Sequence, residues 1–293
     1  MTDFFANFLN PEKRLFIGYL ISAAFIALIW LKIAQKKPLT EIVSGFFSAK
    51  VWFSKSALAD YKLMVLNQFF IKLLAPILIG QLALTVFIFE NMHLLFSRPS
   101  ALIPVWMVML IFTVVLFILD DFSRYLLHRL MHRIPLLWRF HKAHHSATNL
   151  TPLTVLRTHP IEAVLFSLRA IIVHSLCLGV FFFFFADSVS LIEIFGSSMF
   201  VVIFHSLGSN LRHSHVNLSY WNWLEKILIS PAQHQLHHSI NPKHYDCNFG
   251  AVLAIWDNIG SSCIVSEKNQ DIKFGLKDQS DNAHKLKNLI IGS

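Results

Sequence analysis

Charge is what this chain has least of. Only 14% of its 293 residues are charged, against about 25% in an ordinary soluble domain. Cysteine is scarce as well. Cys177, Cys247 and Cys263 stand far apart without a C-x-x-C pair, which argues against a disulfide framework or a thiolate metal site. There is no G-x-G-x-x-G and no P-loop, hence no obvious nucleotide site. No basic stripe with groove-reading elements is present, so no nucleic-acid partner is expected. What fills the space is apolar. Hydrophobic residues make up 55%, with 28 Phe and 7 Trp, which excludes a disordered chain and points to an integral membrane protein.

A membrane span needs about 20 mostly apolar residues. Five stretches qualify: Leu15–Ala34, Phe69–Phe89, Ala101–Leu119, Ala163–Phe185 and Val189–Leu207. The first follows Lys13 and Arg14 but no cleavage motif follows it, so it reads as a retained anchor. Ala186-Asp187-Ser188 is expected to turn the fourth span into the fifth. These two carry Arg169, His174, Glu193 and His205, which are costly in lipid. Lys and Arg concentrate at 32–62 and 124–157, while the loop after the second span has only Arg98. The positive-inside rule therefore places residues 35–68, 120–160 and 208–293 in the cytoplasm.

Against this low charge stands a high imidazole count. There are 16 His beside 17 Asp plus Glu, and 14 of the 16 lie between His128 and His244. Three clusters stand out. His128 and His132 form an H-x3-H. His141, His144 and His145 form an H-x2-H-H, and His234, His237 and His238 repeat that pattern. Positions i, i+3 and i+4 share one helix face, so one helix offers two or three imidazoles to one point. Eight nitrogens exceed what one tetrahedral ion needs and suit two metals. Imidazole binds Fe, Zn, Cu and Ni, so residue type does not choose the metal. His93, His174 and His284 are isolated and read as ordinary packed or interface histidines.

The three clusters in this order resemble the sterol desaturase / fatty acid hydroxylase superfamily of membrane di-iron oxygenases. Arg157-Thr-His159-Pro160-Ile-Glu162 is similar to the family's R-x-H-P-x-E. Asn210-Leu-Arg-His213-Ser-His215 resembles a stretch of its bacterial members. Ser230-Pro231-Ala-Gln-His234-Gln-Leu-His237-His238-Ser239 is similar to the third box, and Asp246-Cys-Asn248-Phe249-Gly250 and Trp256-Asp257 follow in order. One departure is visible. The family's usual W-D-x-x-F-G-T reads Trp256-Asp257-Asn258-Ile259-Gly260-Ser261 here, which leaves the packing after Trp256 open.

The resemblance implies that His128, His132, His141, His144, His145, His234, His237 and His238 are metal ligands. A ninth is expected from between the second and third boxes. His213 is the choice, with His205 and His215 as competitors; His205 and His213 would share a face on one helix. His159 and His244 would be second to the ligands or face substrate. Asp121, seven residues before His128, and Asp246 and Asp257 are candidate acceptors for ligand N–H groups, which ligating histidines normally require. The implied cofactor is two iron ions, with zinc as a substitute in purified protein. The implied activity is O2-dependent hydroxylation or desaturation of a lipid C–H bond. Its electrons would come from an external ferredoxin or cytochrome-type donor with its reductase. Basic residues Arg129, Arg133, Arg139 and Lys142 would suit an acidic donor. Phe181–Phe185 would line a lipid route or simply face lipid.

The expected fold is all-α: an integral membrane helical bundle of about four to five segments, with a cytoplasmic-face histidine-rich helical cap holding a dimetal site. The expected setting is a bacterial inner membrane. Residues 1–100 would be an anchor region, 101–262 the catalytic domain and 263–293 a loosely ordered polar tail. Two readings compete. A zinc-dependent membrane hydrolase lacks its H-E-x-x-H and has no Glu beside a box histidine. A histidine-rich metal transporter or sensor would place its ligands at mid-membrane, where only His174 and His205 fall.

Overall fold

The computed structural model describes residues 2–73, 75–97, 103–185, 188–194, 197–267, 270–277, 279 and 281–291. Their architecture is helical. In chain order the helices are α1 Thr2–Leu9, α2 Ile17–Ile33, α3 Leu39–Phe46, α4 Ala49–Trp52, α5 Lys55–Leu73, α6 Ala75–Leu95, α7 Val105–Arg133, α8 Pro135–His145, α9 Pro160–Phe185, α10 Met199–Ser206, α11 Pro231–His237, α12 Ile255–Ile259 and α13 Leu286–Ile291. One minimal antiparallel ladder pairs β1 Glu193–Ile194 with β2 Ser197–Ser198.

Apolar spacing explains how α2 sits. Tyr19, Ala23, Ala27 and Leu31 recur every four residues and are buried. The small side chains of Ala23 and Ala27 admit Leu211, Val216 and Leu218 of the loop that carries His213. Ile17, Ile21, Phe25, Ile29 and Ile33 recur with the same spacing on the opposite side and are exposed. An apolar residue set facing outward along a whole helix suits lipid rather than water.

α7 and α9 are long and apolar enough to cross a bilayer, and only 22% and 28% of their most apolar stretches are buried. That exposure distinguishes them from the core helices of a soluble domain and points to a membrane protein. α6 packs along α9, where Gly179 permits close approach: a Cβ there would lie 2.7 Å from Ile88 Cγ2. Arg169 on α9 pairs with Asp120 on α7 at 2.8 Å. With 29 residues, α7 is about 44 Å long, more than the hydrocarbon core of about 30 Å. Its final turns carry His128 and His132.

The structure differs from the sequence expectation in two places. The second expected span, Phe69–Phe89, covers the end of α5 and most of α6, and Leu74 between them lies outside the described residues. The fifth, Val189–Leu207, is not a continuous helix. It forms the small ladder and the eight-residue α10, about 12 Å long; Ser197 and Ser198 lie in β2, immediately before α10. Ile192 N–H is held instead by Thr113 Oγ1 of α7 at 3.0 Å. The C-terminal residues are not a loose tail: Leu289 is buried against Ala59, Leu63 and Ala143. Ala101, Arg98, and the expected turn at Ala186 and Asp187 lie outside the described residues.

Candidate metal centre

Three short helical elements present the boxes. His128 and His132 occupy the end of α7. α8 begins with Pro135 at its first position and ends at His145. α11 is only seven residues long and is held by a capping box: Ser230 Oγ accepts from Gln233 N–H, Gln233 Oε1 accepts from Ser230 N–H, and Pro231 opens the first turn. Glu225 accepts from Ser230 Oγ at 2.6 Å and anchors that cap. Gln235 faces away from the boxes. Its amide donates to the carbonyls of Leu211, Ser214 and Val216, which brings the His213 loop against α11.

The nine histidines converge in two groups. His128, His132, His141, His145 and His237 form one; His144, His213, His234 and His238 form the other, each with ligand atoms within 4.8 Å of one another. The H-x2-H-H boxes do not each serve one group, as a shared helix face suggests. Each sends its first and third histidines to one group and its middle histidine to the other. His141 and His145 stay together while His144 crosses, and His234 and His238 stay together while His237 crosses. The groups adjoin: the rings of His145 and His238 stack with centroids 4.5 Å apart.

Hydrogen bonds fix the ring tautomers. His128 Nδ1–H donates to Phe249 O at 2.8 Å, His237 Nδ1–H to Cys247 O at 2.7 Å and His144 Nδ1–H to Arg157 O at 3.2 Å. His141 Nδ1–H donates to the Glu162 carboxylate at 2.9 Å. Each such bond leaves Nε2 without a proton. His128 Nε2 and His141 Nε2 nevertheless face each other at 3.1 Å. Two bare lone pairs at that distance repel unless a cation lies between them. Two nitrogens bound to one zinc ion at about 2.0–2.1 Å would be about 2.9–3.4 Å apart, so the separation fits. His132 Nε2 and His237 Nε2 are buried with no partner. Burial, then the neighbouring imidazoles, hold His144, His145, His234, His237 and His238 well below the ordinary imidazole value. His213 is lowered in the same way, with Arg14 and Arg212 adding to it. These rings are neutral at pH 7, the form that ligates metal.

The carbonyl cradle comes from the stretch after the third box. Asp246 and Asn248 adopt left-handed backbone angles, φ 56° and 51°, a conformation Asn and Asp tolerate best. Asn248 donates to Gln233 O and Ile264 O and accepts from Ile264 N–H. Asp257 accepts from the N–H groups of Phe249 and Gly250, so it positions the carbonyl that orients His128. Asp121 touches no box histidine. It accepts from Val252 N–H, Leu253 N–H and Trp256 Nε1–H, which fastens the segment after the cradle. The departure after Trp256 is thus accommodated, and Gly260 O accepts from Arg129 at 2.9 Å. Asp246 lies 3.8 Å from His132 Nδ1 and 3.7 Å from Arg133.

The other candidates lie apart from both groups. His205 binds Ser209 Oγ at 2.6 Å. It does not share a helix with His213, because Gly208, at φ +86°, ends α10 between them. His215 packs on Phe46. His159 donates to Ile290 O and accepts from Ile161 N–H. His244 contacts Gln270 at 3.4 Å.

Two acids escaped sequence reasoning. Glu162 sits 21 residues from His141, so the absence of a Glu beside a box was true only along the chain; its place in the R-x-H-P-x-E stretch was the available signal. Asp60, on α5, meets Arg157 at 3.0 Å with both side chains fully buried. Arg157 also donates to Ala143 O and Ser146 Oγ, tying α5 to the end of the second box. No motif marks Asp60. A cavity of about 440 Å³ opens on His132, His145 and His237.

Residues 113–262 match the family model "Fatty acid hydroxylase". The chain is 28% identical to alkylglycerol monooxygenase of Homo sapiens over 53% of its length and 31% of that protein's. It is 26% identical to the Danio rerio alkylglycerol monooxygenase over 67% of its length and 38% of the relative's. It is 27% identical to a Delta(7)-sterol 5(6)-desaturase of Gibberella zeae over 54% and 43%. The chain spans about a third of the length of the alkylglycerol monooxygenases. No solved structure matches it.

Proposed function

Because the chain belongs to the fatty acid hydroxylase family, we propose that its two histidine groups hold two iron ions and that it oxidises a lipid C–H bond with O2. The observation that carries this reading is the pair of lone pairs, His128 Nε2 and His141 Nε2, held face to face at 3.1 Å by outward hydrogen bonds. The relatives' names, alkylglycerol monooxygenase and sterol desaturase, agree with an oxidoreductase acting on lipid. The all-nitrogen donor set is compatible with iron and with zinc, and zinc is the expected substitute in purified protein.

Bound iron would supply the capacity to bind and reduce O2. The chain's residues do the rest. Glu162 and the carbonyls of Phe249, Cys247 and Arg157 orient the ligand rings and fix their tautomers. Burial limits water around the four-histidine group. Hydroxylation consumes one O2, two electrons and two protons, and yields the alcohol and one water. Desaturation of two adjacent carbons consumes the same and yields the alkene and two waters. The chain has no haem or flavin signature, so an external ferredoxin or cytochrome-type donor supplies the electrons. We propose a multi-pass protein of a bacterial inner membrane with the site on the cytoplasmic side. In it residues 1–100 anchor, 101–262 catalyse and 263–293 form a polar C-terminal segment.

Metal analysis and O2 uptake by the purified protein test the reading. Two irons per chain with lipid- and reductant-dependent O2 consumption are expected. A single zinc per chain, with no O2 uptake even after the metal is stripped and iron is restored, would overturn it. Lipid profiling of the host with and without the gene would name the substrate.

A further inference from the structure

The described residues between 270 and 291 lie beyond the family match, which ends at residue 262, yet they are bonded to the residues that directly follow both H-x2-H-H boxes. Just past His238, Ser239 pairs with Phe274 in an antiparallel bridge and Ile240 N–H donates to Lys273 O at 3.0 Å. Just past His145, Ser146 O accepts from the Gln279 amide at 2.9 Å, and Gln279 Oε1 accepts from Leu276 N–H at 2.8 Å. Gly275 adopts φ +119°, and a Cβ there would lie 3.1 Å from Thr148 Cγ2, so glycine alone permits this close course. Farther on, Leu289 is buried, and Ile290 O and Ile291 O accept from His159 and Arg139. Between these anchors Leu276 and Lys277 line the 440 Å³ cavity that reaches His132, His145 and His237.

We propose that this C-terminal segment is the outer wall of the cavity, and that Leu276 and Lys277 are specificity-determining residues for what reaches the five-histidine group. Leu276, with Trp138 in the same cavity, meets the alkyl part of an amphiphile, and the Lys277 ammonium favours an anionic head at the mouth. The substrate part rests on the oxidative reading above; the wall itself does not.

Carbethoxylation of the purified full-length chain by diethyl pyrocarbonate, after a chelator has removed metal so that the ring nitrogens are free to react, read histidine by histidine by mass spectrometry, tests the wall without using activity. Leu276→Trp is expected to slow modification of His132, His145 and His237 several-fold. Gln279→Ala is expected to speed it several-fold, with His234 and His238 unchanged as internal controls. Unchanged rates at His132, His145 and His237 in Leu276→Trp would overturn the proposal, whatever Gln279→Ala does. Lys277→Glu is then assayed on a fatty acid and a neutral monoacylglycerol of equal chain length. A rise in KM for the fatty acid relative to the neutral lipid, at similar kcat, is expected, and an unchanged ratio would remove Lys277 from the proposal. Access that responds to the wall variants in a protein that oxidises no lipid would keep the wall and discard the oxidative reading.

Discussion

The two histidine groups share a donor chemistry and differ in almost everything around it. The five-histidine group is backed by oxygen acceptors. Glu162, Phe249 O and Cys247 O each take an Nδ1–H, Asp246 lies close by, and a cavity reaches three of its rings. The four-histidine group is buried throughout. Only His144 has an outward acceptor; Nδ1 of His213, His234 and His238 is buried without a partner. Its nearest ionised neighbour in sequence, Arg212, has no carboxylate within ion-pair distance among the described residues. A cation in the first group would be compensated through His141 by a carboxylate, and one in the second would not. Outward hydrogen bonds raise ligand basicity and set orientation, so the first group is expected to hold a metal more tightly; it is also the more accessible, while the second is sealed.

Removing a crossing histidine has the largest expected effect on this contrast. His144→Ala or His237→Ala takes from one group the ring supplied by the other box. Activity is expected to vanish, with bound metal falling toward half and membrane insertion unchanged. Full turnover in either variant would separate the groups from the chemistry. Next comes the clamp beneath the second box. Asp60→Ala leaves the Arg157 guanidinium buried without its partner, a loss of about 3–5 kcal/mol that a thermal melt would register. An unchanged melting temperature would show that α5 does not support the site.

Glu162→Gln addresses the contrast most directly. It keeps the shape and removes the charge, so metal affinity of the five-histidine group is expected to fall about 10–100-fold. The four-histidine group should hold its ion as before. Competition against a chelator, with metal counted at each step, would read two affinities; an equal fall at both sites would erase the distinction. The smallest effect is expected from Ser262→Ala. It removes the 2.7 Å bond to Asp257 at a cost of about 1 kcal/mol. Any change in metal affinity should appear only in the group that contains His128, because Asp257 acts on that group through Phe249.

How much of this was legible along the chain depends on the range of the interaction. The boxes are local, and the helical spacing of His128 with His132 and of His141 with His145 is what the structure uses. The choice of His213 over His205 and His215 came from a resemblance, and its physical cause lies elsewhere, in Gly208 and in the three carbonyls held by Gln235. Asp121 shows the opposite error. Its seven-residue spacing from His128 places both on α7, but its carboxylate turns to the backbone at 252–253 and to Trp256. The fifth expected span was read from apolarity alone, which does not report that Ser197 and Ser198 leave the helix.

By itself the sequence determined the class of molecule and the chemistry on offer. Low charge and long apolar runs point to a membrane protein, and eight imidazoles at helical spacings offer more nitrogens than one ion takes. Neither depends on distant contacts. Only the tertiary structure decided how those imidazoles divide. A helix places i, i+3 and i+4 within one arc, but two adjoining histidine groups split that arc, and the middle ring of each box goes to the group built on the other. Such an exchange needs α8 and α11 brought together. That is the work of Asp60 with Arg157, of Gln235 and of the C-terminal wall, contacts made between residues far apart in the chain, which no local pattern records.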